Sequence, residues 1–419
     1  MSYELNDPPF SFSDELNPHF VNAKKAFNEG NLSLAIKHYQ KILQHYEGQT
    51  NSWSEKTFIF YEFAQLMKWI GEDYESAIRL QQSAHALEMM SEGNKLSNTV
   101  IESAKRYVLA GDQLLKVSDQ LSAAHCFLKA GLEFMSLNPR LSVDLSKFYG
   151  SIHGASVSSF FSAMCFEKSA ELYEMMNRHA DSTGDYFRAS QITLKGKLYF
   201  DSYAYLKRAI ISYVKRTGTI MDIAGSCPVL GKRTSNAENV LRVLRKRLYK
   251  SWLNFYRDNP HLGLQWVTDR TLKDLAIFYS TLSNELSSNG SQNESDIFYV
   301  KLMDSQRNLF WNEGKYLRWL FSAALNVVSQ YGTNLVRWFI MVSSVIILFA
   351  LLYHIVSCKL SLPIEEHPLI LSAAAFVNIS SISDVKNIFK ALVILESGIG
   401  LIMVAVLIHL FFKKTHLRV

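Results

Sequence analysis

One stretch of 21 residues, 338–358, contains no Lys, Arg, Asp or Glu, and it limits what this chain can fold into more than any other feature. As a helix it would be about 30 Å long, which matches the hydrocarbon core of a bilayer. A second apolar stretch, residues 391–412, is interrupted only by Glu396 and His409. We therefore expect two membrane-spanning helices, with buried helices of a large soluble protein as the alternative.

The charges that flank these stretches predict their orientation. Basic residues lie before the first stretch and after the second, whereas residues 359–390 balance three lysines against three acids. The basic residues are Lys315, Arg318, Arg337, Lys413, Lys414 and Arg418. Since positive charge marks the cytoplasmic side of a span, both termini are predicted to be cytoplasmic in a multi-pass protein.

The segment between the two stretches contains an apolar run of its own. Residues 368–379 are apolar, but 12 residues are too few to cross a bilayer and return. That length is typical of a re-entrant helix, and irregular backbone at membrane depth needs protein or a water-filled cavity around it. We expect a pore or a tight oligomer.

The first 200 residues consist of amphipathic helical patterns joined by short polar breaks, so the fold class is predicted to be all-α. Gly30, Ala35 and Tyr39 are placed as in a tetratricopeptide helix pair, and similar pieces recur around Ala77 and Ala124. Because the spacings of 42 and 47 residues exceed the 34 of that repeat, the pattern indicates an irregular solenoid, similar to tetratricopeptide or SNAP-type arrays. Such stacks present a concave surface, which predicts an unidentified protein or ligand partner.

The charge of the chain is uneven. Residues 1–200 have 19 basic and 23 acidic residues, a balance of −4, which leaves 25 against 15, or +10, for the remainder. Five basic residues of a predicted helix at 236–258 are expected to face anionic lipid, with an ordinary solvated face as the alternative and no role for nucleic acid. These are Arg242, Arg245, Lys246, Arg247 and Lys250.

Three regions follow from these patterns: a helical-repeat domain at 1–216, a basic linker and juxtamembrane region at 217–330, and a two-span domain at 331–419. The boundary near 217–235 is marked by Gly, Pro and Ser. The four cysteines lie far apart and no catalytic or metal-binding motif is present, so we expect reduced thiols, no enzyme activity, no cofactor and no metal.

Residues 296–414 resemble the two-transmembrane pore module of potassium-channel-like proteins. The order of outer helix, re-entrant segment, short extended stretch and inner helix is the same. The resemblance places a filter-like segment at Asn378, Ile379, Ser380, Ser381, Ile382, Ser383 and Asp384, with Asp384 at the family's filter aspartate. It places Glu396 at the acidic position of the inner helix, and Gly398 or Gly400 at its hinge.

The filter-like segment departs from the family at its glycines. Ser381 and Ser383 replace them, and glycine supplies backbone conformations that cost other residues about 1–2 kcal/mol. These departures argue against potassium selectivity, so we expect a less selective, water-filled path, with a non-conducting, purely structural pore fold as the alternative.

The resulting hypothesis is an ion channel of the bacterial inner membrane, gated by a cytosolic helical-repeat sensor. The resembled module closes a pore only as four subunits, so it implies a homo-tetramer with membrane lipids around it. The alternative is a membrane-anchored adaptor that binds partners through its solenoid, while the two spans only tether it.

Overall fold

The computed structural model describes residues 16–46, 52–91, 97–137, 154–196, 198–220, 223, 237–331, 333–360, 367–377 and 387–416. These residues form helices and turns with no strand among them, which confirms the all-α prediction. The chain divides into two compact units, unit 1 at 1–262 and unit 2 at 263–419. The boundary between the two units falls within the predicted linker region 217–330, and the three-region division at 216 and 330 stays a prediction.

Unit 1 is a stack in which successive helices pack on each other. Its helices are α1 (Asn17–Asn28), α2 (Leu32–Tyr46), α3 (Trp53–Trp69), α4 (Asp73–Ser91), α5 (Ser97–Lys116), α6 (Gln120–Ser136), α7 (Gly154–Met175), α8 (His179–Lys195), α9 (Tyr199–Thr217) and α10 (Ala237–Asp258). This arrangement of neighbours is that of a helical repeat, as the sequence predicts.

Small side chains let these helices approach closely. Ala35, Ala77 and Ala124, the residues that mark the repeat in the sequence, are all fully buried. Aromatic rings occupy the space that glycine leaves on the neighbouring helix. A Cβ on Gly111 would lie 3.0 Å from the ring of Phe127, and one on Gly131 would lie 3.1 Å from the ring of Phe166. The stack therefore pairs a small residue on one helix with an aromatic ring on the next.

Serine hydroxyls add a second type of contact between neighbouring helices. Ser76 donates to the carbonyl of Ala64 at 2.8 Å, and Ser162 donates to the carbonyl of Gly131 at 2.7 Å. Each is a buried hydroxyl that bonds to the backbone of the preceding helix. A buried hydroxyl needs such a partner, so these serines also favour one relative position of the two helices.

Unit 2 consists of α11 (Gly263–Ser288), α12 (Gln292–Asn312), α13 (Tyr316–Ser329), α14 (Leu335–Leu360), α15 (Pro368–Phe376) and α16 (Asn387–His416). The serine-rich stretch near residue 290 contains the short turn of a hairpin formed by α11 and α12. Gly290 has φ +81° there, and Ser283 and Ser295 bond to each other's carbonyls at 3.0 and 2.8 Å. The two helices are thus firmly paired.

Replacing Phe127 by Ala should test the packing of aromatic rings against small residues in unit 1. Phe127 is fully buried, so its loss leaves a cavity and is expected to cost about 3–5 kcal/mol. Leu121, on the same helix but 40% exposed, is the matched control, and its replacement by Ala should cost less than about 0.5 kcal/mol. Chemical denaturation followed by circular dichroism measures both, and equal losses would contradict this packing.

Candidate functional site

Two helices of unit 2 are long and apolar enough to cross a membrane. They cover Leu335–Lys359 in α14 and Lys390–Ile408 in α16, and only 17% and 22% of the most apolar 18 residues of each is buried. Core helices of a soluble protein would be mostly covered by other parts of the chain. Leu401, 70% exposed, and Val336, 69% exposed, illustrate how much apolar surface is left open.

The short helix α15 packs against both apolar helices. Its Leu371 belongs to a buried cluster with Phe349 of α14 and Val393 of α16. Its last residue, Phe376, contacts a second cluster with Trp338 and Met403. Helix α15 therefore runs antiparallel to α14 and parallel to α16.

A buried polar centre joins these three helices. Glu396 of α16 is fully buried, and the hydroxyl of Tyr353 on α14 donates to its Oε2 at 2.7 Å. Ser372 of α15 contacts Oε1 of the same carboxyl, and its hydroxyl is also 2.8 Å from the carbonyl of Ile346. The sequence singles out Glu396 as an ionisable residue within an apolar stretch, but it does not reveal Tyr353 or Ser372 as its partners.

Hydrogen bonds from side chains to backbone carbonyl groups also join the three helices. Ser397 donates to the carbonyl of Ala375 at 2.7 Å, and the indole N–H of Trp338 donates to the carbonyl of Met403 at 3.0 Å. The glycines that the resemblance assigns to one hinge differ in their surroundings. Gly400 is buried where a Cβ would collide with the carbonyl of Phe376, whereas Gly398 is exposed and faces open space.

The filter-like segment from Asn378 to Asp384 lies outside the described residues. The described chain stops at Val377, which is 57% exposed, and resumes at Asn387. Val377 directly follows Phe376, which contacts Gly400 of α16. Gly400 lies 13 residues after the first residue of α16, or about 20 Å along that helix. The predicted apolar run at 368–379 is thus helical from Pro368 to Phe376.

The predicted basic surface is on α10, but only four of its five residues are exposed. Arg242, Arg245, Lys246 and Lys250 face outward, and no described acid forms an ion pair with them. Arg247 is buried, and its guanidinium donates to Ser190 of α8 and to Ser202 of α9 at 2.7 and 3.1 Å. The prediction that Arg247 faces lipid is therefore wrong, because its side chain fixes α10 to the stack.

An aromatic group that the sequence analysis missed lies beside the basic surface. Phe200 of α9 packs edge-on against Trp252 at 5.6 Å between ring centres, and Trp252 against Phe255 at 6.0 Å. Phe200 and Phe255 are 52% and 45% exposed. Exposed aromatic rings next to basic side chains suit the boundary between lipid headgroups and hydrocarbon.

Unit 1 also contains an apolar groove of about 370 Å³ between α5, α6 and α7. Leu109, Phe161 and Met164 line it, with Lys105 and Lys168 at its side. Cys165 also lines it, but burial raises the pKa of this thiol to about 12, so it is not a nucleophile near neutral pH. The groove is suited to hold apolar groups rather than to carry out chemistry.

Among the described residues, no group of three His, Cys, Asp or Glu side chains is arranged to hold a metal ion. No protein-family model and no curated protein matches the chain. Among solved structures, the apo form of RapI is similar at 13% identity, over 70% of this chain and 98% of that chain, with a TM-score of 0.24. A likeness of this size assigns neither a family nor a function.

Substitutions at the two glycines of α16 should have opposite effects. Gly400→Ala places a methyl group against the carbonyl of Phe376 and is expected to cost about 1–3 kcal/mol. Gly398→Ala, only two residues away in open space, should stabilise the helix by about 0.5–1 kcal/mol. Thermal unfolding of the purified full-length variants measures both, and a tolerated Gly400→Ala would show that α15 does not pack there.

A second pair of variants tests whether Arg247 is buried while the neighbouring basic residues of α10 are exposed. Arg247→Ala removes a buried donor from Ser190 and Ser202 and should destabilise the protein by about 1–3 kcal/mol. Arg245→Ala, on the exposed face of the same helix, should change stability by less than about 0.5 kcal/mol. Denaturation midpoints compare them, and equal values would contradict the burial of Arg247.

Proposed function

We propose that the chain is a membrane protein in which α14 and α16 cross the bilayer and α15 enters it from the outer side without crossing. The exposed apolar surface of the two long helices supports this, since lipid would cover it. The polar side chains that face inward form hydrogen bonds with one another or with backbone carbonyl groups, as an environment without water requires. The basic residues at both ends of the pair favour cytoplasmic termini.

The end of α15 is the observation that favours a channel. This helix stops at Phe376 beside Gly400, near the middle of the apolar part of α16. The last carbonyl groups of a helix lack partners within it, and those of α15 cannot lie bare in lipid at that depth. Water or further protein must therefore surround it, which a pore closed by several copies of the chain provides.

The electrostatics of this arrangement favour cations. The carbonyl end of a helix has a partial negative charge, equivalent to about half an elementary charge. Described residues 368–377 contribute no basic side chain that would offset it. The function we propose is a weakly selective ion channel, with four subunits as in the module that it resembles and the filter-like residues 378–384 next to this helix end.

In this proposal the helical stack of unit 1 is the sensor. A protein or ligand that binds one of its conformations better than another would shift the equilibrium of α11–α13, which lead into the first span. Opening would then require α16 to move at Gly398 and Gly400. Because Gly400 contacts the end of α15, such a movement would also change the surroundings of the filter-like segment.

An adaptor tethered by the two spans is the second candidate, and one observation favours it. Tyr353 and Ser372, which bond to Glu396, belong to the same chain, so a single copy is sufficient to satisfy that carboxyl. A single copy could therefore serve as an anchor while the stack recruits a partner.

Current recordings distinguish the two candidates. If the chain is a channel, the purified protein in planar bilayers should give unitary cation currents, and Asp384→Ala should reduce them because it removes a negative charge from the filter-like segment. The absence of events in both wild type and Asp384→Ala would contradict conduction. A chain cut after Gln330 and fused to an unrelated anchor should lose its cellular activity, whereas an adaptor would keep it.

A further inference from the structure

We infer that Glu396 is a proton-binding site: its carboxyl group is protonated in the assembled hairpin of α14, α15 and α16, and this proton holds α15 between α14 and α16. The inference goes beyond the proposed function, since it applies equally to a channel and to a tether.

Counting hydrogen atoms leads to this conclusion. Three contacts join the centre: Tyr353 to Glu396, Ser372 to Glu396, and Ser372 to the carbonyl of Ile346. Each contact needs one hydrogen between two oxygen atoms, but the hydroxyl groups of Tyr353 and Ser372 supply only two. The carboxyl group of Glu396 must supply the third, because the carbonyl of Ile346 has none.

One arrangement satisfies all three contacts. Tyr353 donates to Oε2 of Glu396, the protonated Oε1 donates to the hydroxyl oxygen of Ser372, and Ser372 donates to the carbonyl of Ile346. This chain of hydrogen bonds runs from α14 through α16 and α15 back to α14. The carboxyl proton is therefore the link that connects α16 to α15.

Among the described residues of α14, α15 and α16, no basic side chain faces this centre to stabilise an ionised carboxylate. On α14, Tyr353 is the titratable group that faces Glu396, and the neighbouring His354 is exposed. Helix α15 has no titratable residue between Pro368 and Phe376, and on α16 Glu396 is the only ionisable residue between 391 and 408. An unpaired charge buried among apolar side chains is costly, so the neutral form is favoured.

Removal of the proton would weaken the attachment of α15. Two hydrogen atoms would then serve three contacts, and Ser372 could bond either to Glu396 or to Ile346 but not to both. The hairpin would keep its two long helices, since the clusters around Phe349 and Trp338 do not depend on the carboxyl. A proton thus acts as a ligand that selects the state with α15 held in place.

The amide of glutamine is the neutral mimic of a protonated carboxyl, so Glu396→Gln is the central variant. Its NH₂ group can donate to Ser372 while its oxygen accepts from Tyr353, and the full-length variant in detergent should be at least as stable as wild type at pH 7. Glu396→Ala removes both contacts and should lower Tm by roughly 5 °C. Ser372→Ala should also lower Tm, because the carboxyl proton then has no acceptor.

Two further measurements report the proton itself. The infrared spectrum of wild type at pH 7 should contain the carbonyl band of a protonated carboxylic acid that is absent in Glu396→Gln and unchanged in Glu313→Gln, an exposed control. Because the unfolded chain releases this proton above about pH 5 while the hairpin keeps it, the Tm of wild type should fall with rising pH relative to Glu396→Gln. A spectrum without that band, or a Glu396→Gln variant as unstable as Glu396→Ala, would overturn the inference.

Discussion

A polar group placed between apolar helices has to find its partners within the protein, and this requirement organises unit 2. Glu396 would be an isolated carboxyl on α16 without the hydroxyl groups of Tyr353 and Ser372. These contacts, together with the hydrogen bond from Ser397 to the backbone of α15, fix the position of the short helix along α14 and α16. The position of its end, from which the proposed pore follows, therefore depends on the partners of one carboxyl group.

Unit 1 meets the same requirement with smaller groups. Its buried serines bond to carbonyl groups of neighbouring helices, as Ser103 does to Ala84 at 3.1 Å, and glycine and alanine leave space for aromatic rings. Hydroxyl–carbonyl bonds of this kind each contribute only about 1 kcal/mol. Their repetition along the stack nevertheless restricts how each helix can slide on the next, so the surface presented to a partner has a defined shape.

The sequence was sufficient to predict the long elements. Residues 338–358 could be identified as a helix of membrane length because charge is absent there, and α10 because its basic and apolar residues alternate with helical spacing. Both signals are local. The helical repeat was predictable for the same reason, since Ala35, Ala77 and Ala124 occupy similar positions in successive pieces.

Contacts between distant residues were not predictable. Arg247 resembles its exposed neighbours Arg245 and Lys246 in the sequence, and only the positions of α8 and α9 bury it. The partners of Glu396 are 43 and 24 residues away, and nothing local distinguishes Tyr353 or Ser372 from other polar residues in apolar stretches. The filter-like residues 378–384 lie outside the described chain, so their role stays a prediction.

The buried Arg247 has a consequence for the integrity of the chain. Its guanidinium joins α10 to helices that precede residues 221–236, so the attachment of α10 does not depend on the covalent connection through that stretch alone. We expect a chain nicked by a protease between residues 224 and 236 to elute from a sizing column as one particle. Its two fragments would separate only on denaturation.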